Sequence, residues 1–209
     1  MRGRSAKAKY HHGDLRAALV DTAVALIAER GLHGFSLAEA SRRLGVTVAA
    51  PYRHFVDRDE LLAAVATRAA ERLGAALSAG LESTVPAPPE ERVVAGAAAY
   101  VRFAAEERPL FETLFSAGLD KHRYPELEAI SERAGEPLIA VARELSGSDE
   151  EAETLLLAVI TASHGTAALL LDGFFGRPTN DPAVIATAVA HATSVSRAVL
   201  AGRSALNGG

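Results

Sequence analysis

The chain has 209 residues, 49% of them hydrophobic and only 5% aromatic, with no cysteine and a formal net charge of −4. The absence of cysteine excludes disulfides and thiolate metal sites. Alanine is prominent among the apolar residues, which favours packed helices over sheets because alanine is the best helix former and is poor in strands.

The charge is divided unevenly along the chain. Residues 1–60 hold ten Lys/Arg against seven Asp/Glu, whereas residues 61–209 hold twelve against nineteen. A basic front on an acidic body is expected when only one end meets phosphate. No apolar run approaches the roughly 20 residues of a membrane helix, and the polar, basic N-terminus lacks the apolar core of a signal peptide. We therefore expect a soluble, cytoplasmic protein without membrane contact.

The first 60 residues show the pattern of helix-turn-helix. Apolar residues recur at helical spacing from Leu15 to Ile27, and Gly31 follows as a stop. Ser36 to Glu39 reads as a capping box for a second, short helix that ends at Gly45. Thr47 is a candidate N-cap for a third helix running to about Phe55. Two short helices joined by about three residues with a glycine at the turn are typical of the motif.

The rest of the chain is also predicted to be helical. A second capping box, Asp57 to Glu60, opens a long fourth helix over about 58–83. Further helices are predicted after the Pro-rich break at 85–89, at about 94–101, 109–115, 127–145, 149–174 and 181–201. Gly135 and Pro137 should kink or split the helix that contains them. The predicted fold class is all-α.

The stretch from Gly45 to Phe55, GVTVAAPYRHF, has the composition of a major-groove reader. Small side chains at Val48, Ala49 and Ala50 let the backbone approach the base edges, where methyl groups meet thymine methyls. Arg53 suits a guanine edge, and Tyr52 and His54 suit phosphate. The alternative is that the aromatic residues cap a small core and Arg53 is a solvated surface charge.

These residues resemble the DNA-binding domain of TetR-family transcriptional regulators over about residues 14–62. The resemblance is carried by Leu26-Ile27, Gly31, Gly34-Phe35-Ser36, Ala40, Leu44-Gly45-Val46-Thr47, Tyr52-Arg53-His54-Phe55 and Leu61-Leu62. Ala162-Ser163-His164-Gly165 is similar to part of a Trp-His-Gly signature in the C-terminal domain of one branch, although Ile160 stands where the tryptophan is expected.

The resemblance implies a basic arm at 1–13, a DNA-binding domain at 14–60, and an effector-binding and dimerisation body at 61–203. It implies a homodimer on a palindromic operator, usually a repressor released by a small molecule. By position, Ser36, Thr47, Tyr52, His54 and Arg58 match phosphate contacts, and Val48, Ala49 and Arg53 match base-facing positions. Pro51 replaces the usual large aliphatic residue, so the operator sequence does not follow from relatives.

The body contains the candidate effector site. Aromatic residues at helical spacing are more often core than pocket, but as a set they favour an uncharged, largely hydrophobic effector. The candidate ligand-binding residues are Tyr100, Phe103, Phe111, Phe115, His164 and Phe174. His164 and Gly165 alternatively serve helix packing.

The last two long helices should form the dimer interface. Leu155 to Leu171 contains no Asp, Glu, Lys or Arg, and 181–201 is charged only at Asp181 and Arg197, apart from His191. A helix that is apolar all round must be covered on every side, so helices 149–174 and 181–201 should pair with their copies in a four-helix bundle.

Other functions explain less of the sequence. A metal site of His11, His12 and Asp14 is conceivable, but a polar arm accounts for these residues more simply. His164 has no serine-histidine-acid or paired-carboxylate partners, so we expect no enzyme, cofactor or metal. The alternative is an all-α small-molecule-binding protein or enzyme without DNA binding, which leaves the capped helix pair unexplained.

Overall fold

The computed structural model describes residues 12–84 and 86–206, and within them all regular structure is helical and there is no strand. The all-α prediction is confirmed. The α-helices are α1 His12–Arg30, α2 Leu37–Leu44, α3 Arg58–Glu82, α4 Pro89–Glu106, α5 Arg108–Ser116, α6 Pro125–Glu144, α7 Asp149–Leu171, α8 Pro182–Ala201 and α9 Arg203–Leu206. The predicted arm at 1–13 falls almost entirely outside the described residues, and His11, His12 and Asp14, the residues of the disfavoured metal site, lie outside those whose side chains are described.

The caps predicted from sequence are present at two helix starts. The Ser36 hydroxyl accepts a hydrogen bond from the Glu39 amide at 3.2 Å, and the Asp57 carboxylate accepts one from the Glu60 amide at 2.8 Å. Each bond satisfies an amide of the first turn that has no partner inside the helix. At the end of α2, Gly45 takes a φ of 67°, a left-handed conformation that glycine adopts without strain.

The third helix is not the regular α-helix from Thr47 that the sequence predicts. Residues 48–50 form a turn, and only Pro51–Arg53 are helical, as a single 3₁₀ turn. Proline has no amide hydrogen to donate to the Thr47 carbonyl four residues earlier, and its ring crowds that carbonyl. The Thr47 carbonyl instead accepts from the Ala50 amide at 2.9 Å. Thr47 therefore does not act as the N-cap.

A single core joins the N-terminal helices to the body. The long helix α3 packs against α1 at its start and against α4, α5 and α6 further along. Leu61, Leu62 and Val65 of α3 are buried in the same cluster as Leu19 and Leu26 of α1. Because α3 is continuous from the capped start at Asp57, the helix-turn-helix is attached directly to the body.

Gly135 and Pro137 were predicted to kink or split their helix, but α6 runs through both without interruption, so the split is wrong. Close packing holds it to its neighbours. A Cβ on Gly74 of α3 would lie 3.2 Å from the Cα of Ala134, and Leu138 packs against Gly96 of α4. The tertiary contacts compensate for the one backbone hydrogen bond that proline removes.

Helices α7 and α8 are long and apolar enough to cross a membrane by length and composition, contrary to the sequence-based expectation. Core helices of soluble proteins meet the same criterion, so the observation does not establish a membrane span. In the most apolar stretch of each helix, only 33% of α7 and 22% of α8 is buried by the rest of the chain. Both helices therefore carry an apolar face that their own chain leaves uncovered.

Candidate DNA-binding surface and effector site

The recognition segment, residues 47–54, projects its side chains outward from the capped helices. Val48 is 54% exposed and Tyr52 is 56% exposed, and Thr47, Ala49 and Arg53 are also exposed. His54 is half-buried. Such exposure of apolar and aromatic side chains has a cost in water and is typical of a surface that meets a partner.

Phe55 anchors this segment, as predicted. It is 1% exposed in the core, and the guanidinium of Arg16 on α1 lies 5.3 Å from the centre of its ring. Pro51 is buried as well. The segment is therefore held at its proline and at its last aromatic residue, while the side chains between them remain accessible.

The arginines around the segment differ in their partners. Arg43 makes a two-pronged contact with Glu29 on α1 at 2.6 and 2.7 Å, which lowers the pKa of the Glu29 carboxyl, and Arg42 pairs with Glu39. Among the described residues Arg53 has no ion-pair partner within 4.0 Å. Its exposed guanidinium is therefore available to a phosphate or a base edge without breaking a protein contact.

Ser36 stands at the start of α2, and Arg58 is the first residue of α3. Ser36 is exposed at the start of α2, and because its oxygen only accepts the capping bond, its own hydrogen remains free to donate. Arg58 differs. Its guanidinium donates to the carbonyls of Leu32 and Phe35 and lies 5.6 Å from the centre of the Phe35 ring.

In the body, four of the six predicted ligand-binding residues form one aromatic cluster. The Tyr100 hydroxyl lies 2.9 Å from Nδ1 of His164. The ring of Phe111 stacks on His164 at 5.4 Å, and that of Phe115 meets it edge-on at 4.9 Å. The cluster thus joins α4, α5 and α7.

Burial determines the protonation states in this aromatic cluster. Desolvation raises the pKa of Tyr100 well above its usual range and lowers the pKa of His164, so both side chains are neutral at pH 7. Tyr100 is 4% exposed, and among the described residues its hydroxyl contacts only His164. If Nδ1 were the donor, the buried hydroxyl hydrogen would lack a partner. We therefore assign Tyr100 as the donor and place the imidazole hydrogen on Nε2.

The structure does not bring Phe103 and Phe174 to this cluster. Phe103 lines a groove of about 440 Å³ between α3 and α4. Phe174 is 74% exposed beside Phe175, just beyond the end of α7. Phe103 and Tyr100 are three residues apart on α4, but the ring contacts of the cluster include Tyr100 and not Phe103.

Comparison with known proteins identifies the family. Residues 19–65 match the model described as bacterial regulatory proteins, tetR family, and residues 93–193 match the model described as tetracyclin repressor-like, C-terminal domain. Together the two matches span more than two thirds of the chain. The chain belongs to the TetR family. It is a DNA-binding transcription regulator with a helical C-terminal domain.

Solved structures show the same fold along almost the whole length. A protein with unknown function from Rhodococcus sp. RHA1 is 28% identical, with a TM-score of 0.73, over 92% of this chain and 98% of its own. The TetR family regulator PfmR from Thermus thermophilus is 22% identical, with a TM-score of 0.63, over 86% and 97%. A TetR-like regulator from Rhodococcus sp. RHA1 is 19% identical, with a TM-score of 0.65, over 93% and 100%. No curated protein gives a significant match.

Sequence reasoning missed two features of this TetR-family chain. Lys121 places its ammonium 5.8 Å from the centre of the Phe115 ring, at the edge of the aromatic cluster. It lies in a connector with no periodic pattern, so no sequence signal indicated it. The carbonyl partners of Arg58 were missed because backbone acceptors leave no signature in a sequence.

Proposed function

We propose that this TetR-family regulator is a cytoplasmic homodimeric repressor that leaves a palindromic operator when a small, largely hydrophobic effector binds the body. The observation that carries the DNA-binding part of the proposal is the recognition segment, whose apolar, aromatic and cationic side chains are exposed on a capped helical frame. An exposed valine and tyrosine are unfavourable in free solution and become buried against a groove.

The proposed contacts to DNA are of two kinds, those to phosphate and those to base edges. Thr47, Tyr52, His54 and the hydroxyl of Ser36 supply donors to phosphate, which position the protein without reading sequence. Val48 and Ala49 present methyl groups to the base edges, and Arg53 supplies the fork of donors that matches guanine.

Homodimerisation accounts for the uncovered faces of α7 and α8. On α7 the exposed positions recur every four residues and form one uncharged stripe beyond Glu153, made of Leu157, Thr161, Gly165 and Leu169. A Cβ on Gly165 would meet nothing within 4 Å in the chain itself. The close helix contact that this glycine permits is therefore with a second copy. Ala167, on the same helix, is fully buried in its own subunit and takes no part in the proposed interface.

The effector site is the aromatic cluster around His164. Its rings touch one another, so a ligand enters by displacing a ring, and Phe115 at 40% exposure is the ring with the most freedom. An apolar effector would replace the ring contacts, and the Nε2 hydrogen of His164 would donate to one acceptor on it. The pair His164-Gly165 is also the basis for placing the chain in the branch with a Trp-His-Gly signature, with Ile160 in place of tryptophan.

Selection from a pool of random DNA duplexes tests the proposal. We expect the purified protein to enrich an inverted repeat whose half-sites lie about 34–36 Å apart along the duplex, and footprinting should protect both halves. Enrichment of a single asymmetric site would contradict the palindrome. Failure to enrich any sequence, with no salt-dependent binding, would favour the alternative of a small-molecule-binding protein or enzyme.

A further inference from the structure

The geometry points to Arg58 as a positioning residue that sets the recognition segment, rather than as the phosphate contact that its place in the motif implies. We propose that its guanidinium ties the start of α3 to the start of α2, so that the segment between these two helices is held at both ends. The proposal rests on DNA binding by this chain and is independent of the effector and of the operator sequence.

All three nitrogens of the Arg58 guanidinium already have oxygen partners. Nε donates to the Phe35 carbonyl at 3.3 Å, Nη2 donates to the Leu32 carbonyl, and Nη1 lies 3.5 Å from the Asp59 carboxylate. The guanidinium also lies over the buried ring of Phe35. Two of its five N–H donors therefore already bond to carbonyl oxygens, and the Asp59 carboxylate would compete with a phosphate for Nη1.

The carbonyl partners of Arg58 lie directly before the start of α2. Phe35 directly precedes Ser36, the N-cap of α2, and Leu32 lies in the 3₁₀ turn that links α1 to α2. Arg58 itself directly follows Asp57, the N-cap of α3. The contacts join residues 23 and 26 positions apart, and they bracket the whole stretch from α2 to α3.

The recognition segment needs such a bracket because it has little regular structure of its own. Its backbone bonds are those of a turn and one 3₁₀ turn, and most of its side chains are exposed. Its orientation is therefore set by the elements at its ends. Arginine suits this task better than lysine, because its planar fork donates in fixed directions to two carbonyls at once.

Salt-dependent DNA binding separates the two roles. The duplex is the one enriched by the wild-type protein, and Kd is measured by fluorescence anisotropy over a series of NaCl concentrations for the wild type, Arg58→Ala and Arg58→Lys. A positioning role predicts that both variants lose about 10-fold or more in affinity while the slope of log K against log [NaCl] stays unchanged. A phosphate contact predicts that Arg58→Lys binds nearly as the wild type and that Arg58→Ala lowers the slope by about 0.9. The second result would overturn the proposal, as would wild-type affinity in both variants.

Amide hydrogen exchange on the free protein shows whether a loss of DNA affinity in the variants comes from general unfolding. In Arg58→Ala the amides of residues 36–44 should exchange faster, while those of α7 keep wild-type protection. Uniformly faster exchange throughout the chain would contradict a local positioning role. Unchanged exchange at 36–44 would contradict it too, and this measurement remains decisive even if no operator is found.

A matched control comes from the same helix. Arg68 is on α3 and pairs with the exposed Asp21 carboxylate of α1, so Arg68→Ala removes an arginine from α3 without touching the carbonyl contacts. We expect its affinity for the duplex and its exchange at 36–44 to match the wild type. A loss equal to that of Arg58→Ala would show that removal of any arginine from this helix is sufficient, and would overturn the assignment.

Discussion

Tyr100 and His164 form a neutral polar pair inside the aromatic cluster. The stability of that pair depends on the hydroxyl hydrogen that Tyr100 shares with His164. The hydroxyl donates to Nδ1 at 2.9 Å, and both side chains have pKa values shifted by burial towards the neutral form. A buried acceptor that loses its donor is left with the desolvation cost and no compensation.

The variant Tyr100→Phe should be destabilised by about 1 kcal/mol, because Nδ1 of His164 loses its donor while the ring packing is kept. In a chain of this size that corresponds to a fall in Tm of roughly 2–4 °C. Thermal unfolding by circular dichroism at a fixed protein concentration gives the value. An unchanged Tm would show that the hydrogen bond to His164 does not contribute to stability.

His164 should make the stability of the fold depend on pH in the acidic range. Its pKa is lowered in the folded chain by burial, so the unfolded chain binds the proton more readily. The contribution is fully present above the pKa of the unfolded chain, about 6.5, and is lost as pH falls towards the lower pKa of the folded chain. The difference in Tm between pH 7.5 and pH 5.5 should be smaller in His164→Gln than in the wild type. An equal difference in both proteins would show that other groups are responsible.

Substitutions at two residues of the recognition segment should weaken DNA binding in different ways. Arg53→Ala should cost about 1–3 kcal/mol at one base position and relax the preference there. Tyr52→Phe should weaken binding to all sequences and change the salt slope only slightly, since it removes about one phosphate contact. Kd values for single-base variants of the selected duplex distinguish the two. A uniform loss in Arg53→Ala would contradict its role as a base reader.

At the scale of whole elements, the crossing of α3 and α4 depends on a glycine that allows close approach. A Cβ on Gly80 would lie 2.7 Å from the Cβ of Ala99 and 3.2 Å from the Ala95 carbonyl oxygen. Neither of those atoms belongs to a flexible side chain, so relief requires the two helices to separate. Since the DNA-binding motif ends at the start of α3, we expect this crossing to affect the angle at which the motif leaves the body.

Gly80→Ala should therefore be less stable than Gly135→Ala by about 1–3 kcal/mol. Both changes gain the same helix propensity, about 1 kcal/mol, but a Cβ on Gly135 of α6 would meet nothing within 4 Å. Urea unfolding of the two variants under identical conditions measures the difference. Equal stabilities would mean that α3 and α4 move apart without loss of packing energy.

At the scale of the molecule, the uncovered apolar faces of α7 and α8 favour a dimer in which these helices form a four-helix bundle. One chain buries only a minority of either helix, and the exposed stripe of α7 has a glycine at its centre. The same bundle would hold the two DNA-binding ends at a fixed separation, which a palindromic operator requires.

Leu157→Arg should disrupt this dimer, because it would place an unpaired charge in an apolar interface. Leu157 is 66% exposed in the single chain, so the change leaves the fold of the subunit intact. Sedimentation velocity should show monomers, with loss of operator binding. Ala140→Arg, at an exposed position of α6, is the control and should remain dimeric. A dimer of normal stability for Leu157→Arg would move the interface elsewhere.

The sequence alone was sufficient for the features that local interactions determine. Helix positions follow from apolar residues every three to four positions, and the caps at Ser36 and Asp57 follow from side chains that reach amides three residues away. The N-terminal motif was identified for the same reason, since its glycines and caps lie within one stretch of the chain. None of these three features depends on a distant part of the chain.

Tertiary structure decided what depends on distant partners. The Tyr100–His164 bond joins residues 64 positions apart, and the carbonyls that receive Arg58 belong to a turn that precedes α2. Pro137 is tolerated because α6 packs closely on α3, whereas Pro51, in a short exposed segment, prevents the regular helix that was predicted. Ala167 and Gly165 are two residues apart on an apolar helix, yet one is buried in its own subunit and the other is open. Periodicity shows that a helix has apolar faces, but only the packing of the chain determines which face is covered.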